Sequence, residues 1–346
     1  MDRIPVGILG ATGSVGQKFI QLLDQHPYFE VTEIAASEQS AGKTYGQVVK
    51  WFLETPVPDR IARLEVKSCQ PDLKCKTVFS ALDASVAGEI EIQFARSGYT
   101  VISNSRNHRF DPEVPLLVPE VNADHLGLLK TKTGYPGKIV TNPNCSTIGL
   151  VLALKPLQDA FGLEQVNVIT MQALSGAGFP GVPGLSILEN VIPYIGGEEE
   201  KLEKEPLKIL GEFKNNAIHY SNLVISAQCN RVPVIDGHLE SVQIKLKQKA
   251  TAEKIIECWN NFKAEPQILG LPMAPRQPIY YFHQSDYPQP RLHRNLDKGM
   301  AVSIGRLRKC NIFDYKFSLL SHNTIRGAAG GTILCAELMK AKGLLS

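Results

Sequence analysis

The sequence predicts an α/β domain followed by a mixed α+β domain. In the first part of the chain, short apolar runs alternate with helix-compatible segments, and from about Cys145 onward longer strand-like runs appear. Alternating strands and helices are typical of a parallel sheet covered by helices. At 346 residues, of which 43% are hydrophobic, the chain is long enough for two domains with separate cores.

The chain opens with a predicted strand, a glycine turn and a helix. Ile4–Leu9 is an apolar run that leads into GATGSVG at 10–16, after which apolar residues recur at helical spacing. Further strands are predicted at 29–36, 76–82 and 100–103. Such a turn lets the backbone approach a pyrophosphate, whose charge the N–H groups of the helix can hold. In this context the pattern favours a nucleotide site over a purely structural turn.

The second part of the chain predicts longer strands at 165–173, 223–227 and 240–247, separated by extended loops. Pro180–Lys208 is rich in Pro and Gly and then in charge, which predicts a loop leading into an exposed helix. Asn323–Leu338 opens with a glycine-rich turn and closes as a helix. That helix could pack back on the first domain.

Composition excludes several classes of function. The net charge is only +3 and basic residues are interspersed with acids, so neither nucleic acid nor a membrane surface is an expected partner. No apolar stretch has membrane-spanning length, and the N-terminus does not fit a secretory signal. The seven cysteines are widely spread without CxxC spacing, which predicts cytosolic thiols, a cytoplasmic location and no metal site.

The segment after the second strand bears on cofactor choice, because an acid there suits a ribose 2′-hydroxyl and a basic residue suits a 2′-phosphate. Ser37 and Ser40 can donate to a phosphate, and Lys43 can supply positive charge. Glu38 and the neutral Gln39 lie in the same segment and could equally be polar surface residues. The segment favours NADP and leaves NAD use open.

Cys145 is the candidate nucleophile. It lies in NPNCST, directly before an apolar run at 148–154 with helical character. A helix N-terminus there would favour the thiolate and could stabilise an oxyanion beside the sulfur, although a buried structural cysteine is the alternative. A proton partner is needed, and His238 in RVPVIDGH is the first candidate. A loop histidine at a strand start is the alternative for His238, and His108 and His219 are rivals.

Several longer motifs follow one another in order: GILGATGSVG, SAGK, VFSAL, VPLLVPEVN, NPNCST, QALSGAG, RVPVIDGH and NTIRGAAGG. With these motifs the chain resembles the aspartate-semialdehyde dehydrogenase family across essentially its whole length. The resemblance implies a Rossmann-type domain at 1–144, completed by the C-terminal helix at 323–346. It also implies a mixed α+β catalytic and dimerisation domain at 145–322, an architecture like that of glyceraldehyde-3-phosphate dehydrogenase, and a homodimer or homotetramer.

The resemblance also implies roles for single residues. Cys145 corresponds to the nucleophile, His238 to the acid/base and Gln172 to the residue that positions the acyl group or a water. Arg231 matches the arginine that holds the substrate α-carboxylate, a task suited to a bidentate guanidinium.

Two further groups of residues match substrate positions. Glu205 corresponds to the residue on the substrate ammonium, with Glu200 and Glu203 as alternatives, while the rest of EEEKLEKEPLK is expected to be a solvated helix face. The residues expected to contact the phosphate are Arg109, Asn144 and Lys208.

For the cofactor, the resemblance implies a pyrophosphate site at the glycine turn, formed by Gly10, Thr12, Gly13, Ser14 and Val15. Residues expected near the nicotinamide are Ser175, Gly176 and Asn323. The other expected cofactor contacts are Ser37, Ser40, Lys43 and Ser80.

The reaction that the resemblance implies is the reductive dephosphorylation of L-4-aspartyl phosphate to L-aspartate 4-semialdehyde and phosphate. It would use NADPH and a thioester on Cys145, in lysine (through diaminopimelate), threonine and methionine biosynthesis. Two alternatives stay open. One is a related reductase of N-acetyl-glutamyl phosphate or malonyl-CoA, and the other is a nucleotide-sensing module that has lost catalysis.

Overall fold

The computed structural model describes residues 3–130 and 134–345, and within it the chain divides into two compact units. The first unit takes in the chain up to Leu117, Asp124–Asn142 and the residues from Ala328 onward. The second comprises Val118–Ala123 and Pro143–Gly327.

The first unit contains a parallel six-stranded sheet in the order β3-β2-β1-β4-β5-β6. This is the strand order of dinucleotide-binding folds, so the predicted Rossmann-type sheet is confirmed. The central strands at 4–9 and 77–80 are buried over most of their length, as expected of a parallel sheet that is covered on both faces. The strands are β1 (Ile4–Leu9), β2 (Phe29–Ala36), β3 (Val66–Ser68), β4 (Thr77–Ser80), β5 (Thr100–Ser103) and β6 (Lys138–Thr141).

The described helices alternate with these strands and continue through the second unit. In chain order they are α1 (Ser14–Leu23), α2 (Tyr45–Val48), α3 (Asp59–Ala62), α4 (Ala84–Arg96), α5 (Pro119–Asn122), α6 (Cys145–Phe161), α7 (Gly184–Ile187), α8 (Glu198–Ile209), α9 (Ala252–Asn261), α10 (Glu265–Ile268), α11 (Pro290–His293) and α12 (Gly330–Ala341). Short 3-10 helices span Ala123–Lys130, Leu174–Ala177 and Leu296–Gly299, and a π-helical turn spans Ile325–Ala329.

The C-terminal helix α12 belongs to the first unit. Its apolar residues are buried, including Ile333, Leu334 and Leu338, and the helix packs near α1 and β5. Glu337, the one acidic residue of this apolar helix, is hydrogen-bonded through Oε1 to Nε2 of the buried His26 at 2.8 Å.

The second unit contains a mixed sheet in the order β10-β7-β11-β14-β13-β12, beside a small β8–β9 hairpin. Only the β10–β7 and β12–β13 pairs are parallel, which confirms the mixed α+β class. The strands are β7 (Leu163–Gln172), β8 (Glu212–Lys214), β9 (Ala217–His219), β10 (Val224–Arg231), β11 (His238–Leu246), β12 (Ile279–Phe282), β13 (Val302–Lys309) and β14 (Tyr315–Ser321).

Strand register brings three predicted site residues to one row of this sheet. Arg231 on β10 is opposite Gln172, the last residue of β7. On the other side of β7, Leu239 is opposite Met171, so His238 comes level with Gln172. Because opposed residues on neighbouring strands point to the same face, these side chains lie next to one another on the buried face.

The prediction of an exposed helix at the end of Pro180–Lys208 was wrong. In α8 only Glu200 and Lys204 are exposed, and the other residues are buried or half-buried. The reason is that α8 packs against β10 and α6, so its charged side chains meet polar groups of the second unit instead of water. In residues 3–130 and 134–345, no helix has the length and apolar character needed to cross a membrane.

Candidate active site

Cys145 is the first residue of α6, as predicted. Asn144 is the N-cap, and its Oδ1 accepts from the backbone N–H of Ser146 at 3.0 Å and of Thr147 at 3.4 Å. Asparagine is a favoured N-cap because its side-chain oxygen replaces the missing helical acceptor. The sulfur therefore lies at the positive end of a long helix, where a thiolate is stabilised.

His238 is the partner of this thiol. Its Nε2 lies 3.2 Å from Cys145 Sγ, and its Nδ1 accepts from the backbone N–H of Ala173 at 3.0 Å. Because Nδ1 is an acceptor, the proton of the neutral ring belongs on Nε2, directed at the sulfur. Burial and the charge of Arg231 lower the pKa of His238 to about 3, so the ring is neutral at physiological pH.

The rival histidines have other surroundings. His108, in the first unit, is bound through Nδ1 to Asp111 at 2.7 Å and through Nε2 to the Gly88 carbonyl at 3.2 Å. His219 is exposed on β9.

Arg231 and Gly176 lie beside the thiol and its histidine. Arg231 is buried and donates from Nη1 to the Ala173 carbonyl at 2.6 Å. A Cβ added at Gly176 would lie 2.9 Å from Arg231 Nη1 and 3.2 Å from His238 Nε2. Only a glycine leaves space between the guanidinium and the imidazole at this position.

The residues expected near the nicotinamide are brought together as well. Asn323 Nδ2 donates to Ser175 Oγ at 2.8 Å, and its Oδ1 accepts from the Gly237 N–H at 2.8 Å. Ser175 and Gly176 share the short 3-10 helix after β7. The side chain of Asn323 is therefore hydrogen-bonded both to this helix and to the turn that precedes His238.

Of the three acids considered for the substrate ammonium, only Glu205 contacts the segment before Cys145. Its Oε2 accepts from the backbone N–H of Asn144 at 2.7 Å, and its side chain is fully buried. Lys208, one turn further along α8, is also buried. Glu200 is exposed and pairs with Lys204, and Glu203 accepts from the N–H of Ala227 at 3.1 Å.

Sequence reasoning missed Glu198. Its Oε2 accepts from Asn144 Nδ2 at 2.8 Å and from Gln172 Nε2 at 3.3 Å, and Lys201 Nζ meets its Oε1 at 2.6 Å. Burial alone would raise the pKa of Glu198, but the charge of Lys201 and these hydrogen bonds outweigh burial and lower it, so the group is a carboxylate. The spacing in the sequence could have indicated Glu198, because it is seven residues from Glu205 and therefore lies on the same face of the helix.

Sequence reasoning also missed a buried ion pair next to the segment that packs against Cys145. Arg326 binds Glu120 through two hydrogen bonds of 2.8 and 2.6 Å, and both side chains are inaccessible to solvent. The next residue, Gly327, lies against the nucleophile: a Cβ there would be 2.6 Å from Cys145 Cβ and 2.9 Å from its Cα. Glu120 is in VPLLVPEVN and Arg326 is in NTIRGAAGG, and neither residue was given a role from the sequence.

In the first unit, the glycine turn fits a pyrophosphate. Gly10 has a φ of +75°, and a Cβ there would lie 2.7 Å from the Ala81 carbonyl oxygen, which requires glycine. Gly13 precedes α1, and no described side chain caps this helix. The first-turn N–H groups of Ser14 and Val15 are therefore not used by a capping side chain, as an anion site requires.

The other predicted contacts in the first unit stay predictions. Ser37 accepts the N–H of Ser40 through its carbonyl at 2.8 Å, and Lys43 Nζ donates to the Gln39 carbonyl at 3.0 Å. Ser80 is fully buried at the end of β4. Arg109 is buried and donates to the Asn104 carbonyl at 3.1 Å.

Comparison with known proteins decides the family. Residues 5–129 match the model of the semialdehyde dehydrogenase NAD binding domain, and residues 154–326 match that of the semialdehyde dehydrogenase dimerisation domain. The aspartate-semialdehyde dehydrogenase of Schizosaccharomyces pombe is 51% identical over 98% of this chain and 99% of its own length. The chain belongs to the aspartate-semialdehyde dehydrogenase family. A second relative of that name, from Archaeoglobus fulgidus, is 49% identical over 97% of this chain and 98% of its own length.

Solved structures of the aspartate-semialdehyde dehydrogenase family agree with this fold. A crystal structure of the Candida albicans enzyme with NADP has a TM-score of 0.92 and 42% identity, covering 99% of this chain and 100% of its own. Aspartate semialdehyde dehydrogenase II of Vibrio cholerae, complexed with ASA, has a TM-score of 0.78 and 26% identity, covering 99% of both chains. These matches do not favour the alternative acyl-group reductases.

Proposed function

We propose that this chain reduces L-4-aspartyl phosphate to L-aspartate 4-semialdehyde and phosphate with NADPH, through a thioester on Cys145. The observation that carries the proposal is the 3.2 Å contact between Cys145 Sγ and His238 Nε2 at the N-terminus of α6. The Cys145 thiolate would attack the acyl carbon, and the bond to phosphate would break as the thioester forms, with phosphate leaving as the anion. Lysine, threonine and methionine biosynthesis is the corresponding metabolic role.

His238 would act as a neutral hydrogen-bond donor. With Nδ1 occupied by the Ala173 N–H, its Nε2–H can donate first to the sulfur and then to the oxygen that becomes an alkoxide. Gln172, level with His238 on the sheet, would position the acyl group. Arg231, on the same row, would hold the substrate α-carboxylate. Glu205 would face the substrate ammonium.

The cations Arg109 and Lys208, together with Asn144, are proposed to balance and orient the departing phosphate. The glycine turn and Ser175, Gly176 and Asn323 would hold NADPH, which when bound supplies the hydride that reduces the thioester. The Candida albicans relative solved with NADP supports this choice of cofactor.

We further propose that the chain works as a homodimer, which the matched dimerisation domain supports. Light scattering separates the homodimer from a homotetramer by mass. The cytoplasmic location stays a prediction.

The test is a steady-state assay in the phosphorolytic direction, with aspartate semialdehyde, phosphate and either NADP+ or NAD+. We expect turnover, faster with NADP+ than with NAD+, and no turnover or acyl-enzyme in the Cys145→Ala variant because the thioester cannot form. Activity retained by that variant, or a wild-type protein that is inactive with both cofactors, would contradict the proposal.

A further inference from the structure

The carboxylate of Glu198 on α8 accepts hydrogen bonds from the side-chain amides of both Asn144 and Gln172. Glu198 Oε2 accepts from Asn144 Nδ2 at 2.8 Å and from Gln172 Nε2 at 3.3 Å. Its second oxygen, Oε1, is held by Lys201 Nζ at 2.6 Å. With 8% of its surface exposed, Glu198 is buried among these donors.

These contacts set the direction of both amides. With Nδ2 on Glu198, Asn144 turns its Oδ1 to the N–H groups of Ser146 and Thr147 at the start of α6. Gln172 Nε2 also donates to Thr170 Oγ1 at 3.4 Å, so both of its hydrogens are used and its carbonyl oxygen is left for a ligand.

We propose that Glu198 is a positioning residue of this active site, which orients Asn144 at the nucleophile and presents the carbonyl oxygen of Gln172 to the substrate. The inference deepens the proposed function and rests on it for its kinetic test.

The same helix provides a matched control. Glu200 pairs with Lys204 at 2.6 Å, the same distance as Glu198 and Lys201. The side chains of Glu200 and Lys204 are 68% and 59% exposed, and neither accepts an amide of the site. Glu200→Gln therefore removes the same charge from the same helix, and an ion pair of the same length, without touching either amide.

The decisive variant is Glu198→Gln. A glutamine of the same size has one acceptor oxygen and one NH2 group, so the NH2 must face either the Lys201 ammonium or the two amide donors. We expect kcat to fall about tenfold to a hundredfold, with a smaller change in KM, because either choice leaves a buried donor facing another donor and Asn144 and Gln172 lose their fixed orientation. Glu200→Gln should keep wild-type kcat.

A double variant separates orientation from charge. In Glu198→Gln with Lys201→Met, the NH2 group can turn towards residue 201 without meeting a cation, and the carbonyl oxygen can again accept from Asn144 and Gln172. We expect the double variant to recover most of the lost kcat, whereas a role for the negative charge itself predicts no recovery.

Hydrogen exchange gives a readout that does not depend on the reaction. The peptide containing Ser146 and Thr147 should exchange faster in Glu198→Gln than in wild type or Glu200→Gln, because the Asn144 cap is loosened. If wild type shows no turnover but this exchange pattern holds, the proposed function fails and the positioning role stands. A Glu198→Gln variant with wild-type kcat and exchange, or a double variant as impaired as the single one, would overturn the inference.

Discussion

Replacing Gly327 by alanine should displace the nucleophile. The new Cβ would lie 2.6 Å from Cys145 Cβ, whereas carbon atoms normally approach to about 3.5–4.0 Å, so one of the two residues must move by about 1 Å. Because Arg326 anchors the glycine segment through two buried hydrogen bonds to Glu120, much of this movement should fall on Cys145. A movement of that size takes the sulfur out of the 3.2 Å contact with His238.

A misplacement of about 1 Å can cost about a hundredfold in rate, and overpacking costs about 1–3 kcal/mol of stability. We therefore expect Gly327→Ala to lower kcat/KM about a hundredfold while the protein still folds. The assays are phosphorolytic turnover, alkylation of Cys145 by iodoacetamide and thermal unfolding. Gly184→Ala is the control, because a Cβ there meets nothing within 4 Å. Wild-type turnover and alkylation in a folded Gly327→Ala protein would refute the steric reasoning.

Other predictions concern the buried ion pair and pH. Arg326→Met leaves the Glu120 carboxylate buried without its cation and should destabilise the protein by about 3–5 kcal/mol, measured by chemical denaturation. Adding Glu120→Leu removes the unpaired carboxylate and should restore part of this stability. A double variant as unstable as Arg326→Met would contradict the pairing. The pKa of His238 is lowered from 6.5 to about 3, so the unfolded chain binds a proton before the native one does, and stability should fall as pH drops from 6.5 towards 3. His238→Gln should lose less stability over that range, and identical pH dependence in wild type and variant would count against a neutral, buried His238.

Local sequence was sufficient for the elements whose signals are local. The bounds of β1, β2 and β5 agree with the predicted runs at 4–9, 29–36 and 100–103, because the apolar or alternating pattern that marks each strand lies within the segment itself. The start of α6 at Cys145 was likewise predictable, since the polar turn and the apolar run that follows it are adjacent in the chain.

The charged run of α8 was misjudged for the opposite reason. A sequence window shows that 198–208 is rich in acids and lysines, but not which groups α8 packs against. Water was the expected partner, whereas Glu198 and Glu205 are satisfied by donors from Asn144 and Gln172, which lie far away in the chain.

The sequence by itself determined the two fold classes, the cysteine at a helix start, the candidate histidine and the family. Only the tertiary structure decided which histidine faces the thiol, which acids reach Asn144, and that Glu120 and Arg326, 206 positions apart, pair behind the nucleophile. The physical reason is that helix caps and apolar periodicity act over a few residues, whereas hydrogen bonds in a buried site depend on strand register and helix packing. Those are set by the whole chain.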